Sequence, residues 1–182
     1  ALANRAEFVT SYTPYQAELS QGTLQVLFEY QSTICELTGM DISNASVYDG
    51  ATAAAEAIMM AQERNKDTIL VSSTIKKQNL AVIQTYCGGY DMEIVFVDEV
   101  DGRMSVDDLK QKLSEKVCGL YVEQINKYGL IEDVKSYHDV LDEKTHLIMG
   151  FNPLASMILP SGKEVGADIV VGEGQPLGVP LS

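Results

Sequence analysis

The sequence predicts an α/β protein, a mostly parallel sheet sandwiched by helices. Three observations predict it. Short apolar runs alternate with segments of helical period along most of the chain. Small, polar or glycine residues follow each run at once, and no internal repeat or low-complexity stretch interrupts the order. Short strands separated by helices imply right-handed crossovers and a sheet covered on both faces. Residues 1–20 read as an extended N-terminal segment, because Ala1 to Thr10 carries no helix start signal and Pro14 biases its surroundings toward extended backbone. A helix is expected from about Ser20 to Leu37. Leu24, Leu27, Phe28, Gln31, Ile34, Cys35 and Thr38 recur at helical spacing, and Gly39 supplies a stop. The order then runs strand Asn44 to Tyr48, helix Gly50 to Gln62, strand Thr68 to Val71, helix Lys77 to Cys87 and strand Glu93 to Val97. Helix Ser105 to Leu113, strand Gly119 to Glu123, helix Glu132 to Leu141 and strands His146 to Phe151 and Asp168 to Val171 complete it.

The 182 residues suffice for one domain with a substantial core, and 46% hydrophobic with 21% charged residues excludes disordered and fibrous classes. Twenty-six acidic against 13 basic residues give a formal net charge of -13, which argues against nucleic acid or an anionic membrane as partner. Cys35, Cys87 and Cys118 lack C-x-x-C spacing and read as reduced thiols inside a cell. Only two histidines exist, His138 and His146, neither near a cysteine pair, so no metal site is expected. Without a charged-then-apolar leader or a bilayer-length apolar run, the chain is expected to be cytoplasmic.

Ligands of open parallel sheets collect beyond the carboxyl ends of the strands. That directs attention to Asp49 to Thr52, Ser72-Ser73-Thr74, Gln124 to Asn126, Asn152-Pro153 and Gly172 to Gln175. At the first of these, one glycine joins a strand-like run to an Ala-rich helix. A helix start leaves about four amides without intrahelical partners and concentrates partial positive charge. Small side chains at Gly50 and Ala51 would let a phosphate come close. The plainer alternative is a glycine turn with Asp49 as N-cap and Thr52 in the first turn.

Four strings carry a family resemblance: Tyr12-Thr13-Pro14-Tyr15-Gln16-Ala17-Glu18-Leu19-Ser20-Gln21-Gly22, Gln31 to Asp41, Asn44 to Ala57, and Gly166 to Ser182. Together they resemble the glycine-cleavage P-protein family, glycine dehydrogenase (decarboxylating), and within it the first, or alpha, subunit of organisms that split the enzyme. The similarity covers nearly the whole chain. It implies the large domain of an aminotransferase-like (fold type I) pyridoxal phosphate (PLP) enzyme. It also implies a heterotetramer in which a beta subunit (P-protein subunit 2) supplies the Schiff-base lysine and holds PLP. Glycine is then the substrate, and the lipoyl H-protein receives the aminomethyl group. The chain itself is expected to be a partial large domain over residues 1–182, lacking the small C-terminal domain and covering less than half of its parent. Such a piece would carry no cofactor in isolation, and its exposed apolar surface would favour self-association.

PLP chemistry needs an amine for the aldehyde, a carboxylate on the pyridine nitrogen and a phosphate cradle. In related folds the lysine lies shortly after the strand Asp168 to Val171, yet Gly172 to Ser182 contains none, and Gln175-Pro176 sits about where it would fall. Lys163 precedes that strand and reads as a solvated loop residue. The carboxylate is expected after Phe151, where this chain has Asn152 and the family commonly shows aspartate. An amide does not stabilise a pyridinium as a carboxylate does. The cradle of Asp49, Gly50, Ala51 and Thr52 remains, as a corner that is either a relic or still binds an anion. Tyr12, Thr13, Tyr15, Gln16, Glu18 and Gln21 put several hydrogen-bonding groups into ten residues, and tyrosine is favoured at interfaces. The resemblance implies that this loop lies near the shared active site; the alternative is a capped loop entering a helix, with Ser20 as N-cap.

Departures matter too. Lys76-Lys77 stands where the family commonly has His-Pro, and Ile125-Asn126-Lys127-Tyr128-Gly129 where a Pro-Asn-aromatic string is usual. His138 and His146 fall in a helix and at a strand start and read as structural. Two rival functions stay open: a non-catalytic α/β module binding a phosphate ligand, against which no G-x-G-x-x-G or P-loop string is present, and an interaction scaffold for the beta subunit.

Overall fold

The computed structural model describes residues 4–9 and 21–178. It forms two compact units, residues 1–46 and 47–182.

In the first unit, α1 (Ala6–Val9) is one helical turn within the segment expected to be extended, and α2 (Gly22–Thr38) is the predicted helix. Gln21 takes the N-cap position. Gly39 ends α2 as expected: at φ 73° it occupies the left-handed region that side chains resist, and its N–H donates to Cys35 O at 2.8 Å. Gln31 Nε2 donates to Ser43 O at 2.5 Å and holds the chain leaving α2 against the helix.

The predicted strand Asn44 to Tyr48 does not form, and the division between the units falls inside it. Ser46 sits at φ 107°, outside the strand region, and Tyr48 is 93% exposed. An alternating apolar run becomes a strand only where a sheet offers it hydrogen bonds and a face to cover, and this run has neither.

The second unit opens with α3 (Gly50–Ala61), followed by β1 (Thr68–Ser72), α4 (Lys77–Gly89) and β2 (Glu93–Val97). A two-stranded hairpin, β3 (Glu99–Val100) with β4 (Arg103–Met104), and α5 (Val106–Lys112) lead to the central strand β5 (Val117–Glu123). Then come α6 (Val134–His138), β6 (His146–Phe151), α7 (Gly162–Val165) and β7 (Ile169–Gly172), with single 3-10 turns at Ala155–Met157 and Gln175–Leu177. The five long strands pair in parallel in the order β2-β1-β5-β6-β7. From β1 the chain steps to β2 on one side and returns to β5 on the other, so the order reverses between β1 and β5. That is where a ligand crevice is expected in such sheets.

Both faces are covered, as the apolar strands require. One core layer gathers Ile69, Val71, Cys118, Tyr121 and Ile148 under the alanines and Ile58 of α3 and under Ile83 and Cys87 of α4. The other gathers Leu70, Leu120, Val122, Leu147 and Met149 under Leu109 of α5, Val134 and Tyr137 of α6, and Val165 of α7. Burying each large aliphatic side chain contributes about 1.5–3 kcal/mol. The alternation slips once. The pairing register shifts between Thr68 and Ile69, opposite Val117 to Gly119, so Cys118 and Gly119 both point to the α3 face. Burial pushes the Cys118 thiol up to about 11, and Cys35, Cys87 and Cys118 are all free thiols.

The predicted helix Glu132 to Leu141 is shorter than expected. Asp133 caps it by accepting from Ser136 N–H, and Glu132 lies outside it with another role. The hairpin and α7 were not read from the sequence, being too short to show a period. Lys163 lies exposed on α7 rather than in a loop.

Candidate functional site

The carboxyl ends of the strands carry three groups of polar residues. The first is the corner at the start of α3. Asp49 is its N-cap with extended backbone, and its Oδ1 accepts from Thr52 N–H at 2.7 Å. That bond holds the Asp49 carboxyl below its usual range. Gly50 N–H donates to Glu173 Oε2 at 3.0 Å, and Gln175 N–H donates to Glu173 Oε1 at 3.3 Å. Of the predicted site residues, Asp49 and Thr52 thus bond to each other, and Gly50 and Gln175 are joined by a glutamate absent from that set. Asn152 serves its own turn after β6. Its Oδ1 accepts from Leu154 N–H at 2.9 Å and its carbonyl from Ala155 N–H at 2.9 Å. Gln21 occupies the N-cap position of α2 in the other unit without a side-chain capping bond, while Tyr12, Thr13, Tyr15, Gln16 and Glu18 lie outside the described residues.

The second group lies at the end of β5. Glu123 closes a strand whose seven residues are all buried, and is itself 3% exposed. Asn79 Nδ2 donates to its Oε1 at 2.6 Å, Lys76 N–H lies 3.3 Å from its Oε2, and the Lys76 ammonium stands 3.8 Å away. Burial nonetheless pushes the Glu123 carboxyl above its ordinary 4.5. Gly150 on the neighbouring strand has to be a glycine, since a Cβ there would meet Tyr121 OH at 2.9 Å and Glu123 Cγ at 3.1 Å.

A raised acid of this kind is a stability statement. Its favourable neutral form is fully present below pH 4.5 and is lost as pH rises through the elevated value, where a buried charge must form. Urea unfolding of the wild type and Glu123→Gln from pH 4 to 8 is expected to show the variant gaining relative stability as pH rises. A difference that stays constant with pH would show that Glu123 titrates normally.

The third group centres on Glu132, 3% exposed. Thr74 Oγ1 and Asn126 Nδ2 donate to its Oε1 at 2.7 and 2.8 Å, while Tyr137 OH and Met104 N–H donate to its Oε2 at 2.6 and 3.1 Å. Four donors satisfy both carboxylate oxygens and tie the loops after β1 and β5 to the hairpin and α6. Lys127 Nζ adds a bond to Ser73 O at 2.7 Å. Neither Glu123 nor Glu132 was singled out in the sequence. The one readable sign was an acid at the last position of an otherwise apolar strand. Among the described residues no group of acids, histidines and cysteines is placed to hold a metal ion. No described helix is long and apolar enough to cross a membrane.

The glycine cleavage system P-protein family matches this chain across residues 1–182. The chain belongs to that family. A probable glycine dehydrogenase (decarboxylating) subunit 1 of Listeria innocua is 44% identical over 181 residues, 98% of this chain. A crystal structure of glycine decarboxylase (P-protein) in inhibitor-bound form superposes with a TM-score of 0.87 at 36% identity, over 100% of this chain and 41% of that one. An O-acetylhomoserine (thiol)-lyase of Campylobacter jejuni carrying a pyridoxyl-lysine monophosphate shares the fold alone, with a TM-score of 0.68 at 18% identity over 87% of this chain and 38% of that one. The fold is thus that of the P-protein and of fold type I PLP enzymes, as the resemblance implied. The chain spans about 40% of the length of the curated relative it matches.

Proposed function

We propose that this chain is part of the first subunit of a cytoplasmic glycine dehydrogenase (decarboxylating), where it supports a second subunit that bears the Schiff-base lysine. In that assembly glycine is decarboxylated and its aminomethyl group passes to the lipoyl H-protein. PLP supplies the electron sink for the decarboxylation and is held by the second subunit. The observation that carries the supporting role is the loop after β7. It runs Gly172-Glu173-Gly174-Gln175-Pro176 and offers no amine, in a chain otherwise matched to the family from end to end. Asn152, engaged in its own turn, adds to it, because it presents an amide where a pyridine nitrogen calls for a carboxylate. The part left to this chain is to hold a rigid sheet edge, fastened by Glu123 and Glu132, and to offer the Tyr12 to Gln21 segment to the shared active site.

The test uses full-length subunit 1 and subunit 2, alone and mixed, and follows glycine-dependent exchange of labelled carbon dioxide in the presence of H-protein. Exchange is expected only from the mixture, and Tyr15→Ala or Gln16→Ala is expected to lower it by about tenfold or more, the scale of one lost positioning contact. Unchanged exchange in both variants removes the interface role. Exchange by subunit 1 alone, or a pyridoxyl group fixed by borohydride on a lysine of this chain, removes the supporting role.

A further inference from the structure

The cofactor of the family carries a phosphate, and the start of α3 is the cradle the sequence offers it. The residues present do not fit that phosphate. Helix starts hold anions through unpaired first-turn amides, and here the Gly50, Thr52 and Ala53 amides are engaged. Gly50 N–H donates to Glu173 Oε2 at 3.0 Å, Thr52 N–H donates to Asp49 Oδ1 at 2.7 Å, and Ala53 N–H donates to Asp49 O at 2.9 Å. The second oxygen of Glu173 accepts from Gln175 N–H at 3.3 Å within its own loop, so one carboxylate bridges that loop and the start of α3. Backbone and side chain also pack closely, for a Cβ at Gly50 would stand 3.3 Å from Glu173 Cβ.

We infer that Glu173 is the resident anion of this corner, an internal carboxylate delivered by the end of β7 that closes the start of α3 against inorganic phosphate and phosphate monoesters. An incoming dianion would have to displace a tethered carboxylate that is never diluted away, and it would then face the charge of Asp49. The inference stands on residues of this chain alone, whether or not the chain works as a supporting subunit. It gives that role a physical cause: the phosphate of the cofactor has to be held elsewhere.

The test titrates full-length subunit 1 with inorganic phosphate, followed by phosphorus-31 line broadening, and separately with PLP by equilibrium dialysis. Wild type, Glu173→Gln and Glu173→Ala are compared. Glu173 is exposed, so both variants are expected to fold with wild-type circular dichroism. The wild type is expected to show no saturable phosphate binding in the millimolar range. Glu173→Ala should bind about tenfold more tightly or better, with Glu173→Gln between them and the gain shrinking as salt is raised. Saturable binding by the wild type at the affinity of Glu173→Ala overturns the inference, and so does the absence of any gain in both variants. A pyridoxyl-lysine on this chain would overturn the supporting role instead, leaving the corner to be judged by the phosphate titration.

Discussion

Glu132→Ala is expected to lower the unfolding free energy of full-length subunit 1 by about 3–5 kcal/mol, on the scale of two buried donors left without their acceptor. The carboxylate receives four donors, and an unsatisfied buried donor costs about 1–3 kcal/mol. The simple sum overstates the loss because three donors have somewhere to turn. Thr74 Oγ1 lies 2.7 Å from Ser72 Oγ, Asn126 Nδ2 also donates to Gly102 O at 2.8 Å, and Tyr137 OH reaches Met104 O at 3.2 Å. No alternative of that kind serves Met104 N–H, whose only described acceptor is Glu132. Glu132→Gln should fall between: its amide nitrogen replaces one oxygen, where the hydroxyl of Thr74 or Tyr137 can turn to accept but Asn126 Nδ2 or Met104 N–H then faces a donor. Urea unfolding with equal m-values checks the ranking. A loss below about 1 kcal/mol for Glu132→Ala would mean that these loops do not depend on the carboxylate.

The same glutamate shows where the sequence stops being readable. Thr74 and Glu132 are 58 residues apart, and Gly50 and Glu173 are 123 apart. No local period or spacing links them, since topology alone brings them together. The strand and helix order was readable because β1 and β6 are apolar runs whose burial the parallel sheet demands, and β2 is a similar run at the sheet edge. The first two residues of β5 were missed for a local reason: Cys118 and Gly119 share one face at the register shift, so the alternation that marks a strand is broken there. The run Asn44 to Tyr48 failed in the opposite sense, with strand-like composition and no sheet to join. The plainer alternative for the corner after it, Asp49 as N-cap with Thr52 in the first turn, is the one the structure has. Its occupant could not be read, because Glu173 belongs to a loop examined for a missing lysine. A glutamate in that loop tells nothing until the fold lays it on the start of α3.

Tyr121→Ala is expected to cost about 3–5 kcal/mol, the range for truncating a buried aromatic side chain, while Tyr121→Phe costs about 1 kcal/mol. Tyr121 is 1% exposed on the central strand and belongs to the layer under α3 and α4. The buried residues of α3 in this layer are mostly alanines, so truncating the Tyr121 ring removes much of the volume packed there. Its hydroxyl has a smaller part. Burial first, and the nearby Glu123 carboxylate second, push the phenol far above its ordinary 10, so it is neutral at neutral pH. Phenylalanine keeps the ring and loses only the hydroxyl's contact with Asn79. The gap between the two variants therefore isolates packing from hydrogen bonding. Matched denaturant midpoints for Tyr121→Ala and Tyr121→Phe would place the stabilisation in the hydroxyl and its link to Asn79 and Glu123. A gap of about 2 kcal/mol or more places it in the ring, and makes the α3 layer, rather than the polar edge above it, the part of this fold least able to tolerate change.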